Sequence, residues 1–184
     1  MKKFTFLCLQ RGILMKTKRA FRLAMILIIM MSSLGCDQVS KNIIRNKFDD
    51  DESVSLVNDH LTITRVQNSG AFFGWGESLP STAKNILLSL IPVLAISGGL
   101  FFLFFGQATS NPVLIGLSFI LGGGIGNIFD RIIHGSVTDF LYIHFGILRT
   151  GIFNLADVSI TTGTFIIIIH SLANRWRTTS FDRH

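Results

Sequence analysis

Charged residues are scarce in this chain. They make up 15% of its 184 residues, whereas a soluble domain of this size carries about 25%. From Asn85 to Phe129, a run of 45 residues, there is no Lys, Arg, Asp or Glu. A charge-free run of this length excludes a soluble core and predicts two membrane-spanning helices joined by the short polar turn Gln107–Pro112.

Cysteine is equally scarce, with only Cys8 and Cys36 in the chain. Two such residues are too few for a disulfide framework or a thiolate metal site. The histidines form no HExxH motif and no pair four residues apart, so the sequence predicts no metal and no cofactor. The glycines around Gly122 and Gly126 are followed by no P-loop lysine, which argues against a phosphate-binding loop.

What the chain has in abundance is apolar sequence, and hydropathy predicts four spans of roughly the 20 residues that cross a bilayer. The spans are expected at about Ala20–Val39, Asn85–Phe105, Val113–Phe129 and Phe153–Ala173. The predicted fold class is therefore a membrane all-α protein, a bundle of four transmembrane helices. The GxxxG pair Gly122 and Gly126 in the third span predicts close packing against another helix.

Positive charge is concentrated at both ends of the chain. The first 22 residues contain seven Lys or Arg and no acid, and Arg175, Arg177 and Arg183 follow the fourth span. Since basic flanks stay in the cytoplasm, we expect a basic cytoplasmic arm at 1–19, a membrane domain at 20–174 and a basic cytoplasmic tail at 175–184. The net charge of +6 is then a topology signal, and nucleic acid is not an expected partner.

The N-terminal stretch also has features of a secretory signal, with a basic region, an apolar run and small residues before Cys36. Three further spans follow it, so a retained first helix is the expected outcome. Met15 begins the sequence MKTKRAF, which would serve as a second start of translation.

The region between the first two spans, about 42–83, is expected to be extracytoplasmic. Alternating apolar and polar residues in Leu56–Gln67 predict a strand, with a partner at Ser53–Val57. These strands would form a small β platform between helices 1 and 2. The aromatic residues Phe72, Phe73 and Trp75 are expected to form a rim at the headgroup level.

Polar residues from four separated segments meet at the outer surface if the third span runs outward and the fourth inward. Two adjacent carboxylates cannot both ionise cheaply, so one keeps a proton and the other acts as a base, which suits hydrolysis of an amide. From the residues alone, Asp157 is one member of such a pair, and Asp130 and Asp139 remain alternatives for the other. Asn side chains are candidates to stabilise the developing oxyanion.

Asp37 and Lys41 lie on the same side of these spans. They are four residues apart, as in an ordinary helical ion pair. Ser40 beside Lys41 resembles a Ser/Lys peptidase pair, but adjacent helical residues point about 100° apart, which disfavours that reading.

Five short blocks resemble one family in order, spacing and setting. They are DQVSK at 37–41, NSGAFFG at 68–74, GGGIGNIFDR at 122–131, VTDF at 137–140 and FNLAD at 153–157. The chain resembles the lipoprotein signal peptidases (signal peptidase II), the integral-membrane aspartic peptidases of bacteria. Phe73 and the absence of Trp in HFGILRTG depart from the usual pattern.

The resemblance implies a role for each matching residue. The catalytic dyad falls on Asp139 and Asp157, and residues 140–152 correspond to a mobile lid loop over it. Asp130 and Arg131 correspond to a structural ion pair, and Asp37 and Lys41 to a brace. The residues implied to line the site or hold the substrate backbone are Asn68, Gly70, Asn127 and Asn154.

The implied function is a membrane aspartic endopeptidase that removes signal peptides from diacylglyceryl-modified prolipoproteins. It would cut before the lipidated Cys at the outer face of the bacterial inner membrane, acting as a monomer in contact with membrane lipids. One alternative is a non-enzymatic four-span transport or assembly protein, but its ion path would need acids at mid-bilayer, which the second and third spans lack. The other, an acyl or headgroup transferase, would need a histidine near Asp157.

Overall fold

Five helices carry most of the chain in a computed structural model, which describes residues 2–50, 52–57, 60–70, 80–106 and 110–181. The helices are α1 (Lys2–Lys47), α2 (Ser81–Asn85), α3 (Ile91–Phe105), α4 (Asn111–His134) and α5 (Leu155–Phe181). A π-helical stretch, Ile86–Leu90, connects α2 to α3. The predicted aromatic rim lies outside the described residues.

Four helical segments are long and apolar enough to cross a membrane. They are Thr17–Lys47, Thr82–Phe105, Asn111–His134 and Leu155–Trp176. The predicted four-span bundle is confirmed, although the helices extend beyond the apolar runs. The expected arm at 1–19 is continuous with the first span because α1 begins at Lys2, and the stretch contains no proline to interrupt it. The expected tail is likewise helical as far as Phe181.

The β platform is larger than the sequence predicted. It is an antiparallel sheet of four strands in the order β1 (Ser53–Leu56), β2 (Leu61–Asn68), β3 (Val137–Phe145) and β4 (Leu148–Arg149). The first two strands come from the connection between α1 and α2, as predicted. The last two come from the connection between α4 and α5, so the sheet joins both connections.

Residues 140–152, expected as a lid loop, instead form most of a β-hairpin. Backbone hydrogen bonds tie it to the chain that enters α5: Leu141 N–H donates to Phe153 O at 2.8 Å, and Phe153 N–H donates to Leu141 O at 2.9 Å. The hairpin tip carries Ile147, which is 97% exposed. β-Branched and aromatic residues in VTDFLYIHF account for the strand.

Small residues on α4 allow the helices to approach closely. A Cβ on Gly122 would lie 2.9 Å from Met30 O of α1, and one on Gly126 would lie 2.5 Å from Asp37 Oδ2. A Cβ on Gly123 would collide with Ala156 O of α5. The GxxxG pair therefore packs α4 against α1, while Gly123 packs it against α5.

Candidate active site

The start of α5 positions one carboxylate through a reciprocal cap. Asn154 immediately precedes the helix, and its Oδ1 accepts a hydrogen bond from Asp157 N–H at 3.0 Å. Asp157 Oδ2 in turn accepts a hydrogen bond from Asn154 N–H at 3.1 Å. This is a capping-box arrangement, in which residues three apart satisfy two backbone donors. The sequence NLAD carried that signal, and it fixes Asp157 in the first turn.

The second carboxylate, Asp139, lies on β3. α4 ends at His134, and the φ of 75° at its C-cap, Gly135, turns the chain into this strand. Asp139 is 3% exposed, and both of its carboxylate oxygens accept hydrogen bonds from amides. Asn154 Nδ2 donates to Oδ1 at 2.6 Å, and Asn68 Nδ2 donates to Oδ2 at 2.8 Å.

Asn127 of α4 completes a chain of amides between the two carboxylates. Its Nδ2 donates to Asp157 Oδ1 at 2.9 Å, while its Oδ1 accepts from Asn154 Nδ2 at 3.1 Å. Lys41 Nζ also donates to Asn127 Oδ1, at 3.0 Å, which fixes the amide orientation. Both N–H groups of Asn154 Nδ2 are thereby used within the site, so this amide orients carboxylates and has no N–H left for an oxyanion.

Burial controls the protonation of Asp139. Desolvation raises its pKa from 3.8 to about 6, and the negative charge of Asp157 acts in the same direction. The hydrogen bonds from Asn68 and Asn154 oppose this rise. The charge of Asp157 therefore affects the ionisation of Asp139, which retains a proton at a pH where an ordinary aspartate has lost it.

A buried ion cluster lies beneath the two carboxylates. Lys41 Nζ is 2.8 Å from Asp37 Oδ2 and 3.3 Å from Asp130 Oδ2, and all three side chains are fully buried. Asp37 Oδ1 also accepts a hydrogen bond from Ala156 N–H at 2.9 Å. The cluster thus links α1, α4 and the first turn of α5, and the predicted pair of Asp37 and Lys41 is present.

The structural ion pair expected between Asp130 and Arg131 is not formed. Asp130 Oδ1 lies 2.8 Å from Arg45 Nη2 of α1, and Asp130 Oδ2 accepts a hydrogen bond from Thr138 N–H at 3.2 Å. Adjacent residues on a helix point in different directions, so Arg131 forms no direct ion pair with Asp130, although its charge still interacts with that carboxylate. Asp130 therefore joins α4 to α1 and β3.

Arg131 instead bonds the backbone at Gly70 and interacts electrostatically with the two carboxylates of the site. Its Nη2 donates to Gly70 O at 3.0 Å, and its charge interacts with both Asp139 and Asp157. Among the described residues, its buried Nε has no hydrogen-bond partner. Gly70 N–H is held by Asn68 Oδ1 at 2.9 Å, so the Asn68–Gly70 turn is clamped against α4.

Three residues of these networks were missed by the sequence reasoning: Gln38, Arg45 and Thr138. Arg45 lies at the same four-residue spacing that relates Asp37 to Lys41, and this helical spacing was the signal for it. Gln38 Nε2 donates to Asp37 Oδ2 at 3.0 Å and to Asp130 Oδ1 at 3.2 Å. Its contribution depends on the packing of α4 and could not be inferred from spacing.

A cavity of about 450 Å³ opens beside Asp157 on the face of α5. Its lining is mostly apolar and combines the chain before α5 with the first turns of the helix. The lining residues are Thr150, Gly151, Ile152, Phe153, Asp157, Val158, Thr161, Thr162 and Phe165. One of the paired carboxylates therefore faces a space large enough for a substrate segment.

The model of one protein family, described as signal peptidase (SPase) II, matches residues 13–173. This is most of the chain, and it includes every residue of the paired-carboxylate site. The chain belongs to the signal peptidase II family. It is an aspartic peptidase with lipoprotein signal peptidase activity, which confirms the function that the five sequence blocks implied.

Individual relatives of this peptidase support the same conclusion. The lipoprotein signal peptidase of Maridesulfovibrio salexigens is 31% identical over 148 residues, covering 80% of this chain and 95% of the relative. That of Caldicellulosiruptor bescii is 37% identical over 140 residues, covering 76% and 85%. A solved structure described as a bacterial membrane enzyme has a TM-score of 0.70 at 26% identity, covering 85% of this chain and 90% of that one.

The ten predicted site residues of this peptidase fall into two adjoining groups. The first group is the carboxylate pair, Asp139 and Asp157, with the residues around it: Asn68, Gly70, Asn127, Arg131 and Asn154. The second group is the ion cluster below the pair, formed by Asp37, Lys41 and Asp130. Within the described ranges, no group of three or more His, Cys, Asp or Glu has the placement of metal ligands. The metal-free mechanism and the monomeric state stay predictions.

Proposed function

We propose that Asp139 and Asp157 are the catalytic dyad of this peptidase, and that it removes signal peptides from diacylglyceryl-modified prolipoproteins by cutting before the lipidated Cys. The observation that carries the proposal is that Asn154 hydrogen-bonds both carboxylates: its Nδ2 donates to Asp139 Oδ1, and its backbone N–H donates to Asp157 Oδ2. Two carboxylates from a strand and a helix are thereby held in one fixed relationship, beside a cavity.

The roles of the two carboxylates follow from their surroundings. Asp139, with its pKa raised to about 6, is the member that holds a proton. Ionised Asp157 takes a proton from water as the water oxygen bonds to the scissile carbonyl carbon. The proton of Asp139 goes to the amide nitrogen as the C–N bond breaks, giving a free amine on the lipidated Cys and a carboxylic acid on the signal peptide, which then releases its proton to water.

The remaining polar residues hold the dyad or the substrate in place. Asn68, Asn127 and Asn154 orient the carboxylates, and the ion cluster of Asp37, Lys41 and Asp130 fixes the helices beneath them. Arg131 places positive charge close to both carboxylates, where it would stabilise the developing oxyanion. The apolar cavity beside Asp157 suits a substrate anchored in lipid.

We also propose the location and the orientation. The basic arm and the basic C-terminal tail favour a cytoplasmic position for both ends of the chain. The sheet and the dyad then lie at the extracytoplasmic face of the bacterial inner membrane, where a translocated prolipoprotein would reach them.

The dyad is tested with full-length protein in detergent and a lipidated prolipoprotein, separating precursor from product by electrophoresis. Asp139→Asn and Asp157→Asn are each expected to reduce cleavage by at least about 10³-fold, since each removes a proton-transfer group. Asp50→Asn is the matched control, because Asp50 is exposed and pairs only with Arg65 among the described residues. It should cleave at the wild-type rate.

Thermal unfolding of each variant shows whether loss of activity reflects loss of fold. A folded Asp139→Asn protein with normal cleavage, together with an inactive but folded Asp130→Asn protein, would transfer the second catalytic role to Asp130. Inhibition by chelators that is reversed by added metal would contradict the metal-free mechanism.

A further inference from the structure

A second cavity, of about 380 Å³, lies between α1 and α3 at the end of the bundle away from the dyad. One wall is basic and consists of Lys18, Arg19 and Arg22. Another wall is apolar and consists of Leu103–Phe105, and Phe105 is 67% exposed. The cavity therefore combines three positive charges with an apolar surface that continues outward along α3.

The position of this cavity along α1 places it at the membrane surface opposite to that of the dyad. Lys41 follows Arg22 by 19 residues on the same helix, which corresponds to about 28 Å at 1.5 Å per residue. The hydrocarbon core of a bilayer is about 30 Å thick. With Lys41 in the ion cluster beneath the dyad, Arg22 lies at the headgroup level of the opposite leaflet.

The basic wall has no acidic partner in the part of the chain that the structure describes. The ion pairs formed between described residues involve Lys41, Arg45 and Arg65, and none of them involves Lys18, Arg19 or Arg22. Arg22 Nη2 donates to Gly106 O at 3.3 Å, which fixes this guanidinium at the C-terminal end of α3. Lys18 and Arg19 are exposed, and the sequence contains no acid before Asp37.

We propose that this cavity binds an anionic phospholipid, with the phosphate against Lys18, Arg19 and Arg22 and an acyl chain along Leu103–Phe105. Phosphate oxygens form strong charge-assisted hydrogen bonds with Lys and Arg, and basic pockets between transmembrane helices recognise anionic headgroups. A free phosphate would leave the apolar wall uncovered, whereas a phospholipid covers both walls. The site is separate from the dyad and does not depend on the proposed catalytic roles.

The test is native mass spectrometry of the full-length, detergent-purified protein titrated with phosphatidylglycerol or with phosphatidylcholine of the same acyl chains. Phosphatidylglycerol is expected to bind about tenfold more tightly or better, because only its headgroup carries net negative charge. The paired variant Lys18→Gln/Arg19→Gln should weaken its binding about 25-fold, at about fivefold per charge removed. Arg22 is left unchanged in this variant because its hydrogen bond to Gly106 O joins α1 to the end of α3.

Arg175→Gln is the matched control, since Arg175 follows Asp157 by 18 residues on α5 and lies at the same membrane level outside the cavity. It should leave phosphatidylglycerol binding unchanged. Equal binding of the two lipids, or an equal loss in Arg175→Gln, would overturn the proposal. So would equally tight binding of glycerol phosphate, which has the headgroup charge without acyl chains.

Two further variants control for misfolding of the paired variant and for any dependence of lipid binding on the dyad. Arg19→Gln alone removes one exposed charge and should weaken binding about fivefold if the paired variant fails to fold; unchanged binding in it would contradict the proposal. Asp139→Asn should bind phosphatidylglycerol as the wild type does, because the dyad lies at the other surface. Failure of the dyad assignment would therefore leave this measurement unaffected.

Discussion

At the scale of single residues, Asn154 combines several roles. It caps α5, bonds Asp157 through its backbone and side chain, and donates from its amide to Asp139 and Asn127. A Leu in its place would remove the donor to the buried Asp139 Oδ1 and the acceptor of Asp157 N–H, and each buried polar group left unsatisfied costs about 1–3 kcal/mol. One side chain thus sets both the start of a helix and the geometry of the dyad.

The raised pKa of Asp139, about 6, predicts how activity changes with pH. Above this value Asp139 loses its proton, and no proton remains for the leaving nitrogen. The kcat/KM of the free enzyme should therefore fall as pH rises, with an apparent pKa near 6 that belongs to the pair.

Cleavage rates at low substrate concentration, measured between about pH 4 and pH 8, provide the check. Asp50→Asn should show the same profile as the wild type, because its carboxylate is exposed. An activity that rises steadily through pH 6 would show that Asp139 acts as the base and does not hold the proton.

Residue contacts could be predicted from sequence only where they are local. The spacing of Asp37 and Lys41 predicted their ion pair, and the structure has it at 2.8 Å. The ion-pair partners of Asp130 are Arg45 and Lys41, which lie more than 80 positions earlier in the chain, so no local rule could supply them. The family resemblance implied Arg131 instead, and that direct ion pair is not formed because neighbouring helical side chains diverge.

At the scale of elements, the helices were predictable and half of the sheet was not. Long apolar runs identify spans directly, since only helices and closed barrels satisfy their backbone in lipid. β3 was missed because its residues were interpreted as a motif followed by a loop. Its pairing with β2 places Val66 opposite Asp139, a register that depends on contacts between distant parts of the chain.

The absence of a side chain at Gly123 allows α4 and α5 to pack closely. Gly123→Ala adds a methyl group that meets the backbone carbonyl of Ala156, so the helices have to separate. Overpacking of this kind costs about 1–3 kcal/mol, and the variant should unfold several degrees below the wild type in detergent. Because Ala156 precedes Asp157, cleavage should also slow.

Gly98→Ala is the matched control for this substitution. A Cβ on Gly98 meets nothing within 4 Å, and alanine is the better helix former. Thermal unfolding in the same detergent should therefore show an unchanged or slightly higher midpoint. Equal losses in both variants would show that the contact with α5 does not determine the cost.

At the scale of the whole molecule, the orientation of the bundle predicts accessibility from outside the cell. Ser53→Cys, in a chain whose native cysteines are replaced by serine, should react with a membrane-impermeant maleimide on intact spheroplasts. Ser53 is exposed on β1, on the same side of the bundle as the dyad. Labelling detected by mass shift is the measurement.

Thr17→Cys in the same background is the control for the opposite surface. Thr17 is exposed near the basic end of the first span, so it should react only after the membrane is permeabilised. The reverse pattern, with Thr17→Cys labelled first, would invert the proposed topology.

The shared sheet determines when during synthesis the peptidase gains its site. β2 pairs with β3 across more than 60 intervening residues, and those residues include two complete membrane spans. Asn68 can therefore bond Asp139 only after three spans have left the ribosome. Asp139 can bond Asn154 only when the start of the fourth span has followed. A nascent chain that stalls at any earlier point carries at most one of the two carboxylates in place, so it cannot hydrolyse the peptides passing through the same insertion machinery.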